Sequence, residues 1–100
     1  MIYVMDVVRA NIAAAESKIK FLADVVNIGT GRETSNNQIL DIFRKYFKDV
    51  KITYAPKRLG DVDHVYADVQ RAKDLLGFES KTTLETGLAA TFKWWKLTGE

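Results

Sequence analysis

The chain contains 100 residues, of which 47% are hydrophobic and 28% charged, a length and balance typical of one small domain. Its net charge of +2 is too small to predict a nucleic-acid partner, which would favour a strongly basic stripe. The absence of cysteine excludes disulfides and thiolate metal centres, and no apolar run approaches the roughly 20 residues of a membrane span, so we expect a cytoplasmic protein without a membrane partner.

The first predicted element is a helix over Val4–Ser17. Apolar residues at helical spacing place Val4, Val8 and Ile12 on the predicted core-facing side, with Asp6 on the opposite, polar side. The preceding residues provide no capping side chain, so we expect the natural element to begin upstream of residue 1. A short edge strand over Ile2–Val4 that leads into a helix near Asp6 is the alternative.

A strand–helix–strand pattern follows. The β-branched run Val25–Ile28 predicts a strand, Ser35–Phe47 an amphipathic helix, and Lys51–Ala55 a second strand. Ser35 and Gln38 have the spacing of a capping box at the start of the helix. The spacing of the three elements is that of a right-handed parallel crossover.

Two further helices complete the predicted fold, over Val69–Leu76 and Leu84–Leu97. Asp68 is the expected cap of the first, Thr82 that of the second, and Gly99 the expected stop. The sequence therefore predicts a single α/β domain over residues 1–100: a short parallel βαβ unit with flanking helices, in the order α-β-α-β-α-α.

The passage from the first strand to the next helix contains Gly29-Thr30-Gly31. A dinucleotide-binding turn requires a third glycine three residues later, but that position is Thr34. No Tyr-x-x-x-Lys pair is present either. We therefore interpret the glycines as a tight turn and predict no catalytic or cofactor-binding residue in this chain.

The loop after the second predicted strand is the best candidate for ligand binding. Pro56 and Gly60 constrain it, and Lys57 and Arg58 present cations where open α/β sheets bind ligands. An arginine there can bind a phosphate with two parallel hydrogen bonds, and the carboxylate of Asp61 can accept from a sugar hydroxyl. An ordinary charged loop is the alternative at this point.

A cluster of possible metal ligands lies in and after this loop: Asp61, Asp63, His64 and Asp68. Asp-x-Asp pairs hold divalent cations in some transferases, but a single histidine among surface aspartates is more typical of a solvated loop. We predict no metal site, and keep a metal-dependent protein that uses Asp61 and Asp63 as a minor alternative.

Short passages along nearly the whole chain have the order and spacing of one family: Tyr3–Ala10, Asn27–Gly31 with Ser35, Ala55-Pro56, Arg58–Asp61, Ala67-Asp68, Arg71–Lys73, Leu76–Phe78, Leu84–Leu88, Thr91 and Trp94-Trp95. Together they resemble the C-terminal, substrate-binding part of sugar-nucleotide epimerases of the extended short-chain dehydrogenase/reductase family. The UDP-glucose 4-epimerases are the most similar, although dehydratases and decarboxylases of the family share these motifs.

The resemblance implies a role for the charged loop. Arg58 would contact the diphosphate of a UDP-sugar, and Asp61 a ribose hydroxyl. Such enzymes use tightly held NAD, and their glycine-rich fingerprint and Tyr/Lys pair lie in an N-terminal part that this sequence lacks. We therefore expect no cofactor in this chain, no turnover by it alone, and weak or absent UDP-sugar binding.

The resemblance also suggests partners. The missing NAD-binding domain is one, and self-association through apolar surface that it would cover is another. A freestanding binding or assembly module that kept the fold without enzyme activity is the alternative function.

Overall fold

The computed structural model describes residues 1–20 and 23–98 of the chain. Four helices carry the fold: α1 (Val4–Glu16), α2 (Asn36–Tyr46), α3 (Gln70–Leu76) and α4 (Leu84–Thr98). Helix α1 packs on α3, and α2 packs on α4. The predicted positions of all four helices are confirmed to within one or two residues; the expected stop at Gly99 lies outside the described residues.

The predicted α/β class, with its parallel βαβ unit, is wrong. Neither Val25–Ile28 nor Lys51–Ala55 forms a strand, and none occurs elsewhere in the part of the chain that the structure describes. β-Branched composition shows only that a segment suits a strand, whereas a strand also needs a neighbour to complete its hydrogen bonds. The two segments do not pair with each other, and Val25 and Tyr54 are exposed.

Helix α1 packs with the side opposite to the predicted one. Asp6 is 1% exposed and Ala10 is also buried, whereas Val4, Val8 and Ile12 are 63%, 38% and 50% exposed. The apolar stripe of an amphipathic helix normally marks its buried side. Here the hydrogen bonds of Asp6 and the small side chain of Ala10 determine which side is buried.

The first buried cluster joins α1, α3 and the segment between α3 and α4. Ala10, Ala72 and Phe78 form its centre, and Val26 and Ile28 pack against them. Helix α3 ends as predicted at a glycine, residue 77, whose φ of 60° is left-handed. Its start is one residue later than predicted, although the Asp68 carboxylate still accepts from the first helical N–H at 3.0 Å.

The second cluster joins α2 and α4 through aromatic rings. Phe92 is 6% exposed, and its ring centroid lies 4.8 Å from Phe43, 5.1 Å from Tyr46 and 5.0 Å from Phe47. The predicted capping box at Ser35 is confirmed, because its Oγ accepts from the Gln38 N–H and the Gln38 side chain accepts from the Ser35 N–H.

The molecule is flat and extended for its length. Its radius of gyration is 16.7 Å, whereas a compact domain of this length has about 13 Å. It exposes 8444 Å², against about 5,700 Å² for a compact monomer of the same mass. No helix among residues 1–20 and 23–98 is long and apolar enough to cross a membrane.

Candidate functional site

The two residues predicted to bind substrate stand at the ends of one tight turn. The Asp61 N–H donates to the Arg58 carbonyl at 3.2 Å, and the Arg58 N–H donates to Asp61 Oδ2 at 3.1 Å. Gly60, the third residue of the turn, has a φ of 91°, as turns with a left-handed third residue require. The turn therefore holds an exposed arginine and an exposed carboxylate next to each other.

The neighbouring charges of the loop have partners of their own. Lys57 Nζ forms an ion pair with Asp63, and His64 Nδ1 lies 3.2 Å from Glu33 Oε2. The two loop carboxylates therefore have different partners: Asp63 pairs with Lys57, and Asp61 accepts from the Arg58 N–H. No three His, Asp or Glu side chains among the described residues are grouped to hold a metal ion.

The glycine turn before α2 is explained by close packing. Gly31 has a φ of 69°, and a Cβ at this position would lie 2.9 Å from Val69 Cγ2. The side of the turn that a dinucleotide-binding motif would keep open is therefore occupied by the chain itself. This agrees with its interpretation as a tight turn.

An open cavity of about 780 Å³ lies between the N-terminal segment, the end of the glycine turn and α4. Its walls are largely apolar, with Tyr3, Met5, Leu88 and Trp94 among them. Within the described residues that line it, the single basic side chain is that of Arg32. An apolar cavity with few polar groups is the usual form of a small-molecule site.

The sequence-based site prediction missed the residues of this cavity. Arg32 and Glu33 line it, whereas Arg58 and Asp61 do not. The Glu33–His64 contact nevertheless joins the rim of the cavity to the loop that carries the turn. The glycine turn, which directly precedes Arg32 and Glu33, was the available signal in the sequence.

A buried carboxylate fixes the wall of the cavity. Asp6 accepts hydrogen bonds from Arg9 Nη2 at 2.5 Å, Ser80 Oγ at 2.5 Å, Thr82 Oγ1 at 2.9 Å and the Thr82 N–H at 3.1 Å. These bonds hold the start of α1 against the segment that leads into α4. Thr82 is therefore not the cap of α4 as predicted; Thr83 caps it instead, with its Oγ1 accepting from the Thr86 N–H at 3.2 Å.

The same contacts control the ionisation of Asp6. Burial opposes the charged form, but the hydrogen bonds from Ser80, Arg9 and Thr82 outweigh it and hold the pKa of the Asp6 carboxyl well below its usual range. Asp6 is therefore an ionised, fully partnered group that organises the structure around the cavity.

Known proteins resemble the chain over nearly all of its length. No protein-family model matches it. A putative UDP-glucose 4-epimerase of Methanocaldococcus jannaschii is 36% identical over 97 residues, which are 95% of this chain and 30% of that protein. The chain thus spans about 30% of the length of the curated relatives it matches.

Solved structures extend the similarity to the fold. The UDP-glucose 4-epimerase of Thermotoga maritima with UDP-glucose superimposes with a TM-score of 0.83 at 41% identity, covering 99% of this chain and 31% of that one. MoeE5 in complex with UDP-glucuronic acid and NAD gives a TM-score of 0.83 at 33% identity, covering 97% of this chain and 32% of that one. Over nearly its whole length, the chain is therefore homologous to UDP-glucose 4-epimerases of the short-chain dehydrogenase/reductase family, and the matching part is about 30% of the length of those proteins.

Proposed function

We propose that this chain is the C-terminal, nucleotide-sugar-binding part of an NAD-dependent sugar-nucleotide 4-epimerase, and that it is not catalytically competent alone. The superposition on an epimerase that holds UDP-glucose, over 99% of this chain, is the observation that carries the proposal. The single domain over residues 1–100 is then one part of a larger enzyme.

The turn at the end of the charged loop supplies the proposed contacts with the UDP-sugar. Arg58 is exposed, and its guanidinium matches the geometry of two phosphate oxygens. Asp61 uses Oδ2 to hold the turn, so its Oδ1 can accept from a ribose hydroxyl. The backbone hydrogen bonds of the turn fix the spacing of these two groups before ligand binds.

The glycine turn of this chain does not fit the phosphate-binding turn of an NAD site. The dinucleotide fingerprint lacks its third glycine, and Val69 packs against the glycine turn. NAD supplies the hydride acceptor in the related enzymes, and we assign none of that chemistry to this chain. Its proposed role is to bind and orient the nucleotide portion of the substrate.

Substitution of Arg58 by glutamine is expected to weaken binding of UDP-glucose by about tenfold or more, because charge-assisted hydrogen bonds to the diphosphate are lost. A site with one wall holds its ligand weakly, so the wild-type dissociation constant should be on the order of millimolar. Titration with UDP-glucose, followed by NMR chemical shifts of the labelled chain, measures both. Asp61→Asn keeps an oxygen for the turn and should weaken binding less.

Lys57→Gln is the matched control, since it removes the neighbouring cation that already pairs with Asp63. It should leave the affinity within about twofold, as expected for an exposed pair. Equal losses in the Lys57 and Arg58 variants, or no shift of either turn residue on titration, would contradict the proposed contacts. Conversion of UDP-glucose to UDP-galactose by the pure chain with NAD would contradict the proposal that it is inactive alone.

A further inference from the structure

The charged loop, residues 56–66, is attached to the helices by few contacts. Its large apolar side chains are all exposed: Leu59, Val62, Val65 and Tyr66. The Lys57–Asp63 ion pair joins two residues of the loop to each other, as do the hydrogen bonds between Arg58 and Asp61. These contacts shape the loop, but they do not determine where it lies against the rest of the chain.

One polar contact fixes the loop from outside. His64 Nδ1 lies 3.2 Å from Glu33 Oε2, next to the place where the glycine turn packs closely on Val69. Among residues 1–20 and 23–98, no other hydrogen bond or ion pair joins the charged loop to the rest of the chain. The Glu33–His64 contact is therefore the last attachment before the turn that carries Arg58.

Glu33 is the anchored side of this contact. Thr30 Oγ1 accepts from the Arg32 N–H and donates to the Arg32 carbonyl, both at 3.3 Å. The capping box of Ser35 begins two residues after Glu33 and fixes the start of α2. Hydrogen bonds on both sides of Glu33 thus hold its backbone, and the position of the loop follows from that of the glutamate.

The strength of the contact depends on the protonation of His64. A neutral imidazole has one N–H, and only the tautomer with its proton on Nδ1 can donate to Glu33. The imidazolium donates from both nitrogens, and its bond to a carboxylate is charge-assisted and stronger. His64 is the one histidine of the chain, and histidine ordinarily changes its charge between about pH 5 and 8. Lowering the pH over this range therefore strengthens the contact.

The other charges around the contact come from aspartate, lysine and arginine, which ordinarily titrate outside this range. They lie on the loop, on the glycine turn and at the start of α3: Lys57, Asp61, Asp63, Arg32 and Asp68. The α-amino group of Met1, which lines the cavity together with Glu33, belongs to a class that titrates close to neutral pH. Variants of Glu33 keep this amino group, so they separate its effect from that of the histidine.

We propose that Glu33 is a positioning residue for nucleotide-sugar binding, which through its contact with His64 fixes the charged loop and the turn at its centre. The contact holds the turn more firmly at mildly acidic pH than at neutral pH. Glu33 acts through Arg58 and Asp61 and does not itself touch the ligand. The effect on binding rests on the proposed function, whereas the effect on the order of the loop is independent of any ligand.

The order of the loop tests the positioning step without ligand. The ¹⁵N heteronuclear NOE of residues 57–63 in the wild type is expected to be higher at about pH 5.5 than at about pH 7.5, since the imidazolium holds the loop more firmly. Glu33→Gln keeps the shape of the side chain without its charge, and should remove this difference. Glu85→Gln is the matched control, because it breaks an exposed ion pair of 3.0 Å with Lys45 of α2 and should leave the difference unchanged.

The affinity for UDP-glucose tests the consequence for binding. The wild type should bind about two- to fivefold more tightly at the acidic pH, as expected for an exposed contact of this kind. In Glu33→Gln the affinity should equal that of the wild type at neutral pH and should not depend on pH. Arg58→Gln should weaken binding at both pH values and still show the pH-dependent order of the loop, which separates contact with the ligand from positioning.

Exchanging the two residues separates a specific pair from a general effect of charge. Glu33→His together with His64→Glu again places a histidine opposite a glutamate, and should restore the dependence of loop order on pH. Glu33→His alone places two imidazoles opposite each other. They repel when both are protonated, so in this variant the loop should be less ordered at the acidic pH.

The outcomes distinguish this proposal from the proposed function. Loop order that is the same at both pH values in the wild type, or that changes equally in Glu33→Gln, would overturn the proposal whatever the ligand does. Equal affinities of the wild type and Glu33→Gln at the acidic pH would overturn the positioning role. A wild type that shows the expected loop response but binds no UDP-glucose would overturn the proposed function, and the positioning role with it, while confirming the contact itself.

Discussion

Replacement of Asp6 by alanine is expected to lower the free energy of unfolding by about 3 kcal/mol or more. The carboxylate is buried and accepts from Arg9, Ser80 and both donors of Thr82. Without it, the backbone N–H of Thr82 and two hydroxyls lose their partners in a place that water reaches poorly. Urea unfolding followed by tryptophan fluorescence and circular dichroism measures the change.

Asp41→Ala is the matched control for this substitution. Asp41 also pairs with an arginine three residues later in a helix, Arg44, at 3.1 Å, but both side chains are more than half exposed. An exposed pair of this kind contributes between about 0 and 1 kcal/mol. If the two alanine variants lose similar stability, the hydrogen bonds of Asp6 do not have the importance that its burial indicates.

Asp6 should also make the stability of the chain sensitive to acid. Its pKa in the folded chain is depressed, so the folded state favours the ionised carboxylate more than the unfolded state does. The resulting stabilisation is complete above the unfolded value, about 3.9 for aspartate, and is lost as the pH falls towards the depressed folded value. The urea midpoint of the wild type should therefore drop between pH 6 and pH 3 by more than that of Asp6→Asn, which has no titrating group at this position. Equal drops would contradict the assignment.

Local patterns predicted the helices well because helix formation depends on nearby residues. The capping box at Ser35 and the glycine at residue 77 determine helix ends within a few positions of themselves, and both predictions are confirmed. The turn that joins Arg58 to Asp61 was indicated by Gly60 in the same way. In each case, the residue that specifies the helix end or the turn lies within a few positions of it in the sequence.

The wrong predictions concerned features that depend on distant parts of the protein. Val25–Ile28 has strand-like composition, and Val26 and Ile28 do turn towards the first cluster, but the described chain offers no strand to pair with them. Val4, Val8 and Ile12 were predicted to face the core, yet all three are exposed in the part of the chain that the structure describes.

The burial of Asp6 could not be predicted either, because its hydrogen-bond donors are distant in the sequence. An aspartate inside an amphipathic helix normally faces water, and its donors, Ser80 and Thr82, lie more than seventy positions away. The cavity residues Arg32 and Glu33 were missed because they are defined by the approach of the N-terminal segment. Long-range contacts of this kind leave no periodic signal in the sequence.

Replacement of Phe92 by alanine is expected to cost about 3–4 kcal/mol and to separate α2 from α4. The ring is buried and lies within 5.1 Å of three other aromatic rings, measured between centroids. Removing it leaves a cavity at the centre of the second cluster. The exposed Lys45–Glu85 ion pair, at 3.0 Å, and the Lys96 ammonium, 5.9 Å from the centroid of the Phe47 ring, remain as polar contacts beside it. Urea unfolding measures the loss, and Leu97→Ala, at an exposed position of the same helix, is the control and should change the stability by less than about 0.5 kcal/mol.

The double variant of Asp6 and Phe92 tests how the two halves of the fold are connected. The clusters share no buried residue, and within the described chain helix α1 packs on α3 while α2 packs on α4. Effects at separate, independent sites add to within about 0.5 kcal/mol. The losses of stability in Asp6→Ala and Phe92→Ala should therefore sum in the double variant, if it retains enough structure to unfold cooperatively. A coupling clearly larger than this would show that the segment from Ser80 to Thr83, which joins the hydrogen bonds of Asp6 to the start of α4, transmits strain between the clusters and makes them one unit.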